Sequence, residues 1–85
     1  MDLLHGYFMD EPSTYQIRIS GQIEDGLVEH LWGMSSSREQ ASDGNVSVLE
    51  GRLLDQAALL GVINALYNMG YAVLSITRIV DKGEV

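Results

Sequence analysis

Cysteine is absent from the 85-residue chain, which excludes disulfides, thiolate nucleophiles, iron–sulfur clusters and Cys-based zinc sites. Basic side chains are scarce: five Lys and Arg stand against twelve Asp and Glu, a formal net charge of −7. That balance argues against nucleic acid, or an anionic membrane, as the main partner. Histidine occurs only as His5 and His30, with no His-x-x-x-His pair and no calcium-loop spacing. Glu29 adjoins His30, and Asp25 and Glu29 fall one helical turn apart, a pattern that reads as a solvated helix face. No metal and no other cofactor is therefore expected. The N-terminus also lacks the Lys or Arg of a secretory signal, reading Met1-Asp2-Leu3-Leu4-His5-Gly6, and Asp10-Glu11-Pro12 interrupts the apolar residues that follow. The cytoplasm is the expected compartment.

What is present is the composition of a folded domain, 46% hydrophobic and 20% charged. The length allows one domain, and a domain this small gains from burying surface in an oligomer. Residues 1–14 form a leader with Leu3, Leu4, Tyr7, Phe8 and Met9, either docked or loose. A single domain is expected over 15–80, followed by a tail at 81–85.

From Tyr15 the pattern has period two: Tyr15, Ile17, Ile19 and Ile23 alternate with Gln16, Arg18, Ser20 and Gln22, as in a half-buried strand. Asp25 is positioned to cap a short helix over Gly26–Trp32 with Leu27 and Leu31 on one face. A weaker strand is expected at Met34–Arg38. Ser42-Asp43-Gly44-Asn45 is a turn, leading to a strand at Val46–Leu53. The inward parity of that strand stays open, because Val46 and Val48 point one way while Leu49 and Leu53 point the other. Asp55 caps the main helix, which runs to Met69 and ends at a left-handed Gly70. Tyr71–Val80 closes the order as a strand, with Leu74 and Ile76 on one face and Ser75 and Thr77 on the other. The order β-α-β-β-α-β predicts an α+β, ferredoxin-like sandwich: an antiparallel sheet with both helices on one face.

Several of these segments resemble a family of small prokaryotic proteins of unassigned function. Its features are a Tyr-x-Ile-x-Val-x-Gly strand, an aromatic-containing turn and a Leu-x-Gly-x-Leu strand leading into an Asp-Gln-Ala-Ala-Leu helix start. The corresponding pieces are Tyr15-Gln16-Ile17-Arg18-Ile19-Ser20-Gly21, Trp32, Leu49-Glu50-Gly51-Arg52-Leu53 and Asp55-Gln56-Ala57-Ala58-Leu59. Asn68-Met69-Gly70-Tyr71 and Leu74-Ser75-Ile76 look like its closing segments, so the likeness spans about residues 15–79. Leu60 stands where His is frequent in that family, which removes the motif's one side chain fit for acid–base work. The resemblance supports a fold and implies no activity.

Known site patterns find little support. Ser35, Ser36 and Ser37 cluster without a Gly-x-Ser-x-Gly elbow. An acylphosphatase-like phosphate cradle fails because Glu24 and Asp25 follow Gly21 closely and repel phosphate. RNA binding would need stacking aromatics and a basic surround, and residues 45–53 hold no aromatic.

One feature stands out. Gln56 to Thr77 is a run of 22 residues with no charged side chain, where the chain's 20% average would place about four. The change from helical to alternating pattern at Gly70 argues against a membrane helix, which needs about 20 apolar residues in one conformation. At 100° per residue, Leu59, Val62, Leu66 and Met69 face the sheet. The opposite face shows Gln56, Ala57, Leu60, Asn64, Tyr67 and Asn68, beside a ridge of small residues at Ala57, Gly61 and Ala65, which predicts a contact surface for another chain formed by Ala57, Leu60, Gly61, Asn64 and Tyr67. The leading expectation is a non-enzymatic, homo-oligomeric interaction or accessory module, a dimer by preference, with an external protein as the alternative partner. Two other readings are an ACT-like regulatory domain binding a small molecule between paired units, and an enzyme whose site forms at a dimer interface through His30, Tyr67 or Arg78.

Overall fold

The computed structural model describes residues 12–41 and 44–79. Six elements follow in order: β1 (Ser13–Ser20), α1 (Asp25–Trp32), β2 (Ser35–Ala41), β3 (Gly44–Leu53), α2 (Gln56–Asn68) and β4 (Val73–Ile79). The strands form one four-stranded sheet in the order β2-β3-β1-β4, and every neighbouring pair is antiparallel. The fold is α+β. Among the described residues, strands β2 and β4 are its two edges.

The alternation in β1 does what period two requires. Ser13, Tyr15, Ile17 and Ile19 are buried, while Thr14, Gln16 and Arg18 lie on the other, half-covered face. Directly opposed residues of an antiparallel pair share a face, so the register carries this parity across the sheet. Ile17 lies opposite Leu49 in β3 and Ile76 in β4, and Ser13 lies opposite Leu53. The parity of β3 is thereby fixed. Leu49 and Leu53 join the main core, whereas Val46 and Val48 are buried on the opposite side, level with Ser20 and Arg18.

Both helices supply the same core. Val28 of α1 and Leu59, Val62 and Leu66 of α2 cluster with Tyr15, Ile17, Ile19 and Leu49. Fully burying each such side chain favours the fold by roughly 1.5–3 kcal/mol. The structure corrects the expected face of α1: Val28 is its buried anchor, Leu27 and Trp32 flank it, and Leu31 is exposed. The helix also starts one residue early. Glu24 is the N-cap, with no side-chain cap bond, and its carbonyl accepts from Leu27 and Val28.

For α2 the capping expectation holds. The Asp55 carboxylate accepts a 2.9 Å hydrogen bond from the Ala58 amide. At the other end the Gly70 amide donates to the Tyr67 carbonyl and the Tyr71 amide to that of Leu66, with Gly70 at φ 94°. This is a Schellman motif, which needs a left-handed residue at C′. Met69, expected to face the sheet, is instead an exposed C-cap, because the chain turns away there and Tyr71 packs against the core in its place.

Strand β4 departs from simple alternation. Arg18 lies opposite Ser75, yet the next residue, Ile19, lies opposite Val73, so Leu74 is the extra residue of a bulge. Val73 therefore takes the position on the same face as Ile76 that simple alternation gives to Leu74. Ser42 and Asp43 of the expected turn, together with residues 1–11 and 80–85, lie outside the described residues.

Candidate functional site

The five residues expected to form a contact surface, Ala57, Leu60, Gly61, Asn64 and Tyr67, are all exposed on α2. Tyr67 is 75% exposed and Leu60 50%. The helix is laid down this way because Leu59, Val62 and Leu66 recur at the three- and four-residue spacing of one face. Burying them turns Leu60, Asn64 and Tyr67 outward. No acidic residue occupies the first turn of α2 and no basic residue the last, so its exposed face is amide, aromatic and aliphatic.

The five are not one flat patch. Asn64 and Tyr67 line an open cleft of about 760 Å³ with Ile63, Tyr71, Ala72 and Val73, on the β4 side of the helix. Gly61 instead borders a separate hollow of about 390 Å³ shared with Trp32 and Leu54. Leu60 shares the angular sector of Ile63 and Tyr67 at 100° per residue, and so leans towards β4. The apolar exposure continues onto that edge strand, where Leu74 is 54% and Ile76 44% exposed. Sequence reading missed this continuity. Its signal was present in the charge-free run, which covers both α2 and the first five residues of β4.

The opposite face of the sheet has different chemistry. Arg18 bridges to Glu39 with two hydrogen bonds, Nε to Oε1 at 3.2 Å and Nη2 to Oε2 at 2.8 Å. Its Nη1 donates to Gln16, whose amide in turn donates to Glu50. Arg18 belongs to β1 and Glu39 to β2, so the pair spans β3, which lies between them and carries Val46 and Val48 on this face. The hydrogen bond from Arg18 holds the Glu39 carboxyl below its usual range, and the same bond raises the guanidinium pKa. A guanidinium engaged in this way roofs two valines and has its charge met, which leaves it poorly disposed to recruit an anion.

The residues named for a possible catalytic site are not gathered in one place. His30 is exposed on α1, Tyr67 on α2, and Arg78 on β4, where its Nε donates to Ser13. Ser35, Ser36 and Ser37 lie along β2, with the Ser35 hydroxyl donating to the Glu50 carbonyl. The buried hydroxyl of Ser47 donates to the Gly21 carbonyl at 2.7 Å and accepts from the Ile23 amide at 3.3 Å, which fastens the loop after β1. Among the described residues no group of three His, Asp or Glu could hold a metal, and no helix is long and apolar enough to cross a membrane.

Residues 14–77 match the family described as Domain of unknown function (DUF8691). The match covers 64 of the 85 residues, and the chain belongs to that family. No curated protein and no solved structure matches it.

Proposed function

We propose that this member of the DUF8691 family is a non-enzymatic interaction module of the cytoplasm, built as a ferredoxin-like split βαβ sandwich, that associates with a second copy of itself. The architecture is supported by the strand order β2-β3-β1-β4 with a helix after β1 and another after β3. The observation that carries the function is the charge-free, exposed face of α2, centred on Leu60, Asn64 and Tyr67. Solvent-facing helix surfaces in a chain with 20% charged residues ordinarily carry Lys or Glu. A face without them, holding tyrosine, leucine and amides, has the make-up of an interface core. Sedimentation equilibrium over a concentration series through the micromolar range tests the reading. A mass rising to twice that of the chain is expected, and a monomeric mass throughout overturns it.

The cleft beside Tyr67 favours one second reading, an ACT-like regulatory domain that holds a small ligand between paired units. Its support is a concave site of about 760 Å³ with the Asn64 amide and two tyrosines at its wall. Thermal stabilisation by particular amino acids or nucleotides, lost on Asn64→Ala, distinguishes it from the first.

A further inference from the structure

We propose that residues 3–9 of this chain, which lie outside the described residues, dock in the hollow between α1 and α2 with their apolar side chains against Trp32 and Leu54. This goes beyond the self-association reading and does not depend on it. The hollow, of about 390 Å³, opens where the end of α1, the end of β3 and the start of α2 meet. Its wall is apolar and unshielded: Leu54 is 72% exposed, and Leu31 is exposed beside it. Ala58 and Gly61 put no bulk into it, and a Cβ on Gly61 would meet open space. Large aliphatic side chains left bare around a concavity favour an apolar occupant.

The choice of this occupant rests on where the segment joins the sheet. Ser13, the first residue of β1, lies opposite Leu53 in the wall of the hollow. Opposed residues are about 5 Å apart, so the segment meets the sheet beside the hollow. Phe8 is five residues from Ser13, a reach of at most about 18 Å, which is enough to cross it. The cleft beside Tyr67 is at the other end of the sheet: Val73 in its wall lies opposite Ile19, about 20 Å along β1 from Ser13. The segment carries Leu3, Leu4, Tyr7, Phe8 and Met9, and Asp10-Glu11-Pro12 joins it to β1. Cations flank that junction, because Arg78 donates to Ser13 through Nε and Arg52 lies opposite Thr14. Two of the chain's five basic residues thus stand where Asp10 and Glu11 enter. A short tether gives an effective concentration in the millimolar range, so a shallow apolar contact suffices. Docked there, the segment covers Gly61 and leaves Leu60, Asn64 and Tyr67 open.

Trp32 is the only tryptophan and lines the hollow, so it reports on the occupant. Phe8→Asp in the full chain is expected to shift its emission maximum to the red and to raise its quenching by acrylamide, with an unchanged circular dichroism spectrum. Leu60→Glu, outside the hollow, is expected to do neither. The absence of cysteine allows a second measurement. Under mild oxidation Met9→Cys with Leu54→Cys should close an intrachain disulfide far faster than Met9→Cys with Glu50→Cys. Glu50 is also near the junction, opposite Gln16, but on the face of the sheet away from the helices, so an undocked tether reaches both alike. Equal closure in the two pairs, with Trp32 emission unchanged in Phe8→Asp, overturns the docking and leaves the hollow to solvent or to an external partner. A disulfide formed only between chains overturns it as well and gives the hollow to a second copy.

Discussion

Two glycines hold positions that no other residue could fill at the same cost. Gly51 lies on the core side of β3, opposite Tyr15, with Met34 packed over it. A methyl group added there would stand 2.7 Å from Met34 Cγ and 3.0 Å from its Cα. The side chain could swing aside, but the Cα belongs to the backbone joining α1 to β2. Gly51→Ala should therefore destabilise by about 1–3 kcal/mol, the usual range for overpacking a core, as read from urea unfolding. Gly70 is a different case, with open space around its missing Cβ and φ at 94°. The constraint here is conformational, because a β-branched residue resists the left-handed region that the Schellman motif demands. Gly70→Val should cost about 1–3 kcal/mol, whereas Gly70→Asn should cost less, and the difference in denaturation midpoint separates conformation from packing. Equal losses in both variants would show that bulk decides.

At the scale of the element, α2 is where sequence and structure agree most closely, because its signals are local. Asp55, the three- and four-residue spacing of Leu59, Val62 and Leu66, and Gly70 all act within one or two turns. Its two faces give opposite expectations for similar changes. Leu66→Glu, at a fully buried position, should unfold the domain, since an unpaired carboxylate in a core is among the costliest substitutions. Leu60→Glu with Tyr67→Glu should leave the circular dichroism spectrum intact and abolish association, as read by light scattering. An unfolded double variant would mean that the outer face is already covered within the monomer. The sheet was less legible for a physical reason. Strand β3 is apolar on both sides, so periodicity could not choose between Val46 and Leu49. The choice follows from register, and the outer valines are covered by an Arg18–Glu39 pair formed between residues 21 apart in sequence. The bulge at Leu74 is equally non-local, arising in the pairing of β4 with β1. The helix half of the candidate site could thus be read from residue spacing, while its β4 half required the strand order.

The whole molecule carries a net charge of −7 and a face from which charge is missing, and association should reflect both. Most of the repulsion between two copies comes from carboxylates outside the contact, acting through solvent. Salt reduces it, because the screening length falls from about 30 Å at 0.01 M to about 10 Å at 0.1 M. The dimer should therefore tighten as salt is raised, opposite to the behaviour of an interface held by ion pairs, since an uncharged contact has no attraction to lose. Acid should act in the same direction at first, as carboxylates begin to take up protons and the net charge shrinks. It then acts against the fold. The Glu39 carboxyl is held below its usual range by Arg18, so its contribution is present above the unfolded value of about 4.3 and is lost as pH falls through the lower folded value. The expected profile is a dissociation constant that decreases from pH 7 to about pH 5, followed at lower pH by a small drop in stability as the solvent-exposed Arg18–Glu39 pair is lost. Sedimentation equilibrium at 0.02 and 0.5 M salt, with circular dichroism at each pH, measures both limbs. A dimer that dissociates on adding salt would place charged residues in the contact and exclude the α2–β4 face.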